Sequence, residues 1–128
     1  MHCRGRLFYG MLSLIFTFLL YLPQNAKAET GVASVYSGEK TANGEYAHAT
    51  AYTAAHKSLP IGTIVEVTNQ ETGRSVIVRI NDRGPFRPGR IIDLTPAGAK
   101  AIGSNGLSRV SLTVLPRVGA RVGPANGG

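Results

Sequence analysis

The sequence predicts a small all-β barrel with one short helix, preceded by a signal peptide. Short runs rich in β-branched residues recur between Gly31 and Leu115, and glycine-containing turns separate them. A single Thr-Pro pair, at Thr95, opens the one segment with a helical signature. Such short, evenly spaced runs are typical of strands in small barrels. At 128 residues the chain has room for one domain.

The start of the chain has the features of a secretory signal. Arg4 and Arg6 give it a basic start, an apolar run of 16 residues follows at 7–22, and Ala26 and Ala28 form a small-residue cleavage site. The alternative is an uncleaved membrane anchor, which needs about 20 apolar residues. The expected divisions are a signal peptide at 1–28, a barrel domain at 29–116 and a disordered tail at 117–128.

Cysteine content and net charge limit the expected cellular location of the protein and the kinds of partner it can bind. The single cysteine, Cys3, precedes the apolar run, so disulfides, thiol chemistry and cysteine lipidation are not expected in the mature chain. Removing Arg4, Arg6 and Lys27 leaves 11 of the 14 basic residues against 7 acidic ones, a net charge of +4 in place of +7. We expect a soluble, exported monomer in the periplasm or cell envelope. An anionic polymer outside the cell suits this charge, whereas nucleic acid does not suit the location.

The strands are predicted from the beginning of the domain onward. The run GVASVY, which begins at Gly31, is the first. Residues 62–69 and 75–81 form a hairpin, because both are rich in β-branched residues and QETG between them offers Gly73 for a positive φ. Side chains alternate between the faces of a strand, so one face of the second strand enters the core. Its core residues are expected to be Val76, Val78 and Ile80.

The second half of the domain adds two strands and the helix. RIIDL, at 90–94, reads as a strand, and Thr95 is the expected N-cap of a short helix that Gly103 closes. In the last strand, RVSLTVL, apolar residues alternate with polar ones. Its core residues are expected to be Val110, Leu112 and Val114. The tail is rich in glycine and proline and has no periodicity, which favours disorder.

Two aspartates are candidates for chemistry. Asp82 ends a strand and precedes the Gly84–Pro85 turn, so its carboxyl can be fixed and partly shielded from water, as a general acid requires. The alternative is that Asp82 caps the turn or pairs with a nearby arginine, Arg83 or Arg87. Asp93 lies between apolar residues, where a buried carboxylate needs a partner or a function.

A glutamate and a histidine are further candidates. The Asn43-Gly44 turn would expose Glu45 at a loop end, and His56 could orient a carboxylate or a hydroxyl. The alternatives are an ordinary loop glutamate and a satisfied histidine. His48 and His56 have no recognised metal-ligand spacing, so neither a metal nor a cofactor is expected.

Three segments resemble a known family in their order and spacing. TAAHKSLPIGT, VTNQETGRSV and NDRGPFRPGRIIDL are similar to the double-psi β-barrel domain of the rare lipoprotein A family of septal-ring lytic transglycosylases. The similarity runs from Gly31 to Leu115. It implies a six-stranded double-psi barrel with one or two short helices, and a groove for peptidoglycan glycan strands. It also implies cleavage of the β-1,4 bond between N-acetylmuramic acid and N-acetylglucosamine without water, with formation of a 1,6-anhydro ring.

The resemblance also assigns roles. It implies that Glu45, His56 and Asp82 are the catalytic residues, with Asp82 as the acid and base. Asp93 is the rival, because IIDL also resembles the Phe-Asp-Leu segment of expansins, in which the aspartate is the acid. The substrate-binding residues implied are Arg83, Arg90, Tyr36, Tyr46 and Phe86.

Other functions remain open from the sequence. The barrel could bind glycan without cutting it, as expansins do, or bind only a partner such as a divisome or cell-wall protein. Only the enzyme would make anhydromuramyl ends. The sequence has no tryptophan for sugar stacking, and it has neither the lipid-attachment cysteine nor the second, glycan-binding domain of many family members.

Overall fold

A computed structural model describes residues 28–36, 41–42, 44 and 48–125. The predicted signal peptide up to residue 27, together with Glu45 and Tyr46, lies outside the described residues. No helix in the described part is long and apolar enough to cross a membrane.

The described residues form seven strands and one helix. The helix, α1 (Pro96–Ala101), lies between the fifth and sixth strands. The strands are β1 (Glu29–Val35), β2 (Thr53–His56), β3 (Ile64–Asn69), β4 (Ser75–Asp82), β5 (Arg90–Leu94), β6 (Ser108–Leu115) and β7 (Gly123–Pro124). The hairpin, the strand at 90–94 and the last long strand are confirmed, whereas β2 was not predicted.

Six of the strands close into a barrel. The sheet order is β2-β5-β1-β6-β3-β4-β7, and an additional pairing between β2 and β4 closes the ring. The pairs β1–β5 and β2–β4 are parallel, and the remaining pairs are antiparallel. The six-stranded barrel with one short helix that the resemblance implies is therefore confirmed.

Local chemistry explains the hairpin. Gly73 has φ 75° in the turn, and its N–H donates to the carbonyl of Asn69 at 2.8 Å. Across the turn, Val67 pairs with Val76 and Val65 pairs with Val78. These alternating side chains face the interior, and the predicted core residues Val76, Val78 and Ile80 are all 0% exposed.

The helix begins as predicted. The Thr95 hydroxyl oxygen accepts from the Gly98 N–H at 3.4 Å and donates to the Ala51 carbonyl at 2.5 Å. Pro96 occupies the first turn, where its missing N–H has no helical acceptor. At the other end, the side chain of Asn69 donates to the Ile102 carbonyl at 2.9 Å, which ties the helix to the hairpin.

The structure differs from the sequence pattern at two places near the end of the domain. Val114 was expected in the core with Val110 and Leu112, but it is 44% exposed, because it lies next to the end of β6, where the chain leaves the barrel. The tail was expected to be disordered, but Gly123–Pro124 form β7 against β4. A strand of two residues is too short to show an alternating pattern in the sequence.

Candidate active site

Four residues form a row across the outer face of the barrel. Ala55 on β2 pairs with Asp82 on β4 and with Asp93 on β5, and Asp93 pairs in turn with Ser34 on β1. Ala54 packs in the core, so Ala55 and its partners lie on the opposite face of the sheet, where Ala55 and Ser34 are covered and the two aspartates are partly exposed. We call Asp82, Ala55, Asp93 and Ser34 the carboxylate row. Strands lie about 4.8 Å apart and the barrel is curved, so the Cα atoms of the two aspartates are separated by less than about 10 Å.

A β-bulge places Asp82 in the carboxylate row. Ile80 pairs with Ala54 and Asp82 pairs with Ala55, so Asn81 is one residue more than β2 can match. Strict alternation would turn residue 82 to the same interior face as Ile80, and the bulge reverses this. Asn81 itself is 0% exposed, and both polar atoms of its side chain lack a hydrogen-bond partner within the described ranges.

A second bulge places Arg90 on the same face. Val32 pairs with Arg90 and Ala33 pairs with Ile92, so Ile91 is the extra residue of β5. If β5 alternated strictly, Arg90 would share the interior face of Ile92. Each parallel pair of the barrel therefore contains one bulge, and each bulge turns a charged residue toward the same outer surface.

The carboxyl group of Asp82 is fixed by main-chain donors. Its Oδ1 atom accepts from the N–H of Arg83 at 2.8 Å and from the N–H of Ala42 at 2.9 Å. Asp82 therefore caps its own turn, as the alternative interpretation held, and is also held by the loop that carries Ala42. Both of these hydrogen bonds go to Oδ1.

Asp93 is held by a side chain instead. The Ser34 hydroxyl donates to Asp93 Oδ1, and the carboxyl is half-buried. Across the described residues no ion pair joins Asp82 or Asp93 to an arginine, whereas His56 and Glu29 are in contact with ion-pair geometry. The arginine pairing considered from the sequence is therefore not found.

The two aspartates line one groove of about 340 Å³. Its charged lining comprises three arginines against these two carboxyls, and its aromatic lining comprises Tyr36 and Phe86, of which Phe86 is 78% exposed. The lining residues are Tyr36, Asp82, Arg83, Gly84, Pro85, Phe86, Arg87, Arg90 and Asp93. A larger hollow of about 560 Å³ beside α1 contains no carboxylate, so we place the candidate site in the groove.

Arg83 and His56 lie at one side of this groove. The Nη1 atom of Arg83 donates to the carbonyls of His56 and Leu59, at 3.2 and 2.6 Å, so this nitrogen is committed to the main chain. His56 is 3% exposed, is absent from the groove lining, and contacts Glu29 Oε2 through Nε2 at 2.9 Å.

The structure therefore brings together most of the predicted residues and adds others. Asp82, Asp93, Arg83, Arg90, Tyr36 and Phe86 share the groove. Arg87 was missed as a lining residue, although its position between Phe86 and Arg90 was a signal. Ser34 and Glu29 were missed because their partners are distant in sequence. Among the residues placed in the structure, no three His, Cys, Asp or Glu side chains cluster as metal ligands.

Comparison with known proteins shows the family of the chain. A family model described as "Lytic transglycolase" matches residues 28–114. The chain is 53% identical over 91 residues to the probable endolytic peptidoglycan transglycosylase RlpA of Synechocystis sp., covering 66% of this chain and 28% of that protein. It is 50% identical over 107 residues to the endolytic peptidoglycan transglycosylase RlpA of Pasteurella multocida, covering 77% of this chain and 36% of that protein.

A solved structure supports the fold. An expansin from Clavibacter michiganensis superposes with a TM-score of 0.55 and 22% identity, covering 73% of this chain and 52% of that chain. At this identity the likeness concerns the fold alone. The chain spans about a third of the length of the two RlpA proteins, 28% and 36% respectively.

Proposed function

The chain belongs to the lytic transglycolase family of double-psi β-barrels, and on that premise we propose that it is an endolytic peptidoglycan lytic transglycosylase. It cleaves the β-1,4 bond between N-acetylmuramic acid and N-acetylglucosamine and leaves a 1,6-anhydro end. The carboxylate row is the observation that carries this proposal, because it holds two separately fixed carboxyls on the face that an extended glycan can reach.

Asp82 is the proposed acid and base. Its protonated carboxyl gives a proton to the glycosidic oxygen as the bond to C1 of the muramyl residue breaks. The resulting carboxylate then takes the proton of the 6-hydroxyl, whose oxygen closes onto C1, so no water is consumed. The two N–H bonds to Oδ1 support this assignment, since they fix the group while the described contacts leave Oδ2 for the proton.

Asp93 is the rival for this role. It lies in the same groove, and the hydrogen bond from Ser34 orients its carboxyl. We assign it to stabilising the positive charge that develops at C1, which a fixed carboxylate can do without proton transfer. Glu45 stays in the proposal on sequence grounds, and Ala42, which precedes it by three residues, contacts Asp82.

The rest of the groove supports binding of an anionic glycan. Arg87 and Arg90 supply positive charge for the carboxylates of muramyl residues or their peptides, and Arg guanidinium groups bind carboxylates well. Phe86 offers an exposed ring on which a sugar can stack, with Tyr36 beside it. Tyr46 remains a predicted contact. Because peptidoglycan lies outside the cytoplasmic membrane, the proposal requires export, which the predicted signal peptide at 1–28 would provide.

The first prediction tests the enzyme and its acid. The purified protein is incubated with peptidoglycan, both intact and stripped of peptides, and the products are analysed by mass spectrometry. We expect anhydromuramyl ends from the wild type, and Asp82→Asn should lower their rate of formation by about 10²–10⁴-fold, as loss of general acid and base catalysis does. Asp93→Asn is the matched variant and should retain more activity than Asp82→Asn.

Other outcomes would change the assignment. A larger loss in Asp93→Asn than in Asp82→Asn would exchange their roles. Retention of the protein on the glycan without new chain ends would contradict the enzyme and leave a wall-binding barrel. Absence of both cleavage and retention would favour a barrel that binds only a partner protein, such as a component of the divisome.

A further inference from the structure

We propose that Glu29 and His56 are positioning residues that fix Arg83 at the edge of the groove, and that His56 transfers no proton. The kinetic part of this inference rests on the proposed function. Its structural part rests on the hydrogen bonds of the His56 ring, both of whose nitrogens have partners within the protein. Neither nitrogen is left for a sugar oxygen.

The partners fix the tautomer of the ring. The Nδ1 atom of His56 lies 3.1 Å from the main-chain nitrogens of both Ser58 and Leu59, which are donors. Nδ1 must therefore accept, so we assign the ring proton to Nε2, which donates to Glu29 Oε2 at 2.9 Å. The contact is thus a hydrogen bond from a neutral ring to a carboxylate. A second proton on Nδ1 would break both main-chain bonds, which opposes the proton cycling that acid and base catalysis requires.

The ring holds a turn, and the turn holds an arginine. By accepting from Ser58 and Leu59, the ring closes the segment at 56–59 around itself. The carbonyls of His56 and Leu59 then accept from Arg83 Nη1 at 3.2 and 2.6 Å. Hydrogen bonds from a charged group are stronger than neutral ones, so the turn fixes the guanidinium firmly.

Arg83 connects this turn to the carboxylate row. Its main-chain N–H donates to Asp82 Oδ1 at 2.8 Å, so a shift of Arg83 also shifts the donor of that carboxyl. Glu29, at the beginning of β1, contacts the opposite side of the ring and does not line the groove. Its effect on the groove must therefore pass through His56 and Arg83.

The structural test reads the tautomer directly, without any need for activity. Nitrogen NMR of the labelled wild type distinguishes the two neutral tautomers and the charged ring. We expect the neutral Nε2–H form of His56. An Nδ1–H tautomer, or a charged ring at neutral pH, would overturn the inference whether or not the protein proves to be an enzyme.

The kinetic test separates positioning from proton transfer. In Glu29→Ala we expect KM for peptide-free glycan strands to rise about tenfold, the order of one hydrogen bond to a charged group, with a smaller fall in kcat that reflects the shifted donor to Asp82. Glu29→Gln keeps an oxygen acceptor for Nε2–H and should restore most of the affinity. Glu71→Ala, at an exposed turn position, is the matched control and should change neither constant.

Two further variants complete the test. In His56→Asn the amide oxygen can accept from the same main-chain N–H groups, as asparagine does in turns, so kcat should persist. A fall in kcat of about 10²-fold or more would instead indicate proton transfer by His56 and overturn the inference. In an Arg83→Ala background, Glu29→Ala should have no further effect on KM, and full additivity would likewise contradict the route through Arg83. If the wild type makes no anhydromuramyl ends, the proposed function fails, and glycan retention by the same variants replaces KM.

Discussion

The two edges of β4 differ in how regularly they pair with the neighbouring strands. Toward β3 it makes five consecutive antiparallel pairs, from Ile64–Arg79 to Thr68–Ser75, without interruption. Toward β2 it makes three parallel pairs, and the bulge at Asn81 interrupts them. The regular side supplies the core, whereas the interrupted side supplies the groove.

This difference indicates that the β-bulges orient the charged residues of the candidate site. The bulge at Asn81 turns Asp82 outward, and the bulge at Ile91 does the same for Arg90. If both strands alternated strictly through these residues, both charged side chains would point into an apolar interior. Variants on the two sides should therefore change different quantities, namely the free energy of unfolding on one side and the activity on the other.

Leu112→Ala should have the largest effect on the regular side. Leu112 is 2% exposed on β6, where it pairs with Val67, and its truncation leaves a cavity in the core. We expect a loss of about 2–5 kcal/mol in the free energy of unfolding, measured by urea denaturation. The activity of each folded molecule should stay near that of the wild type. A loss of activity without a loss of stability would contradict the assignment of this side to the core alone.

Deletion of Asn81 should have the largest effect on the interrupted side. Removing the extra residue leaves Asp82 opposite Ala55 but abolishes the bend and the added twist of the bulge, so the carboxyl of Asp82 is displaced within the carboxylate row. The rate at which anhydromuramyl ends form should fall by about 10²-fold or more for each folded molecule, since small misplacements have effects of that size. Asn81→Ala keeps the bulge and serves as the control. Equal rates in the deletion and in Asn81→Ala would show that the bulge does not position Asp82.

Gly73→Ala should have a smaller effect, confined to the regular side. Gly73 has φ 75°, and a Cβ there would meet no atom within 4 Å, so the penalty is one of backbone conformation alone. The free energy of unfolding should fall by about 1–2 kcal/mol. Gly98→Ala, inside α1 with only ordinary contacts, is the matched control and should raise stability by about 0.5–1 kcal/mol. Thermal denaturation should therefore show changes in stability of opposite sign for the two substitutions.

Phe86→Ala should have the smallest effect. The ring is 78% exposed, so its removal should leave the unfolding transition unchanged. Binding to glycan should weaken by about 0.5–1.5 kcal/mol if a sugar stacks on it. Co-sedimentation with purified glycan measures this change, and unchanged retention would exclude Phe86 as a binding platform.

Short-range signals account for the part of the fold that was predictable. Gly73 in a turn between two β-branched runs indicates the hairpin, and Thr95 before Pro96 indicates the helix. By contrast, β2 is only four residues long and is buried on both faces, so TAAH shows no alternation. The bulges, the exposure of Val114 and the pairing of β7 depend on neighbours that are distant along the chain.

The candidate site was predictable as a set of residues but not as an arrangement. The density of charge after Ile80 indicates Asp82 and Arg83, and resemblance adds Arg90. The hydrogen bond between Ser34 and Asp93 joins residues 59 positions apart, which no local pattern encodes. The catalytic role of Glu45 and the substrate contact of Tyr46 remain predictions from the sequence.

The carboxylate row also bears on the order in which the molecule is assembled. The side chains of Thr68 and Ser75, which meet in the hairpin, are 7 residues apart, whereas Ser34 and Asp93 are separated by 59. Closing a long segment loses more chain entropy than closing a short one, so we expect the hairpin early and the parallel pairs late. The groove then exists only after the ring of strands has closed. Under the proposed function, a partly folded chain in the envelope cannot cut the wall that surrounds it.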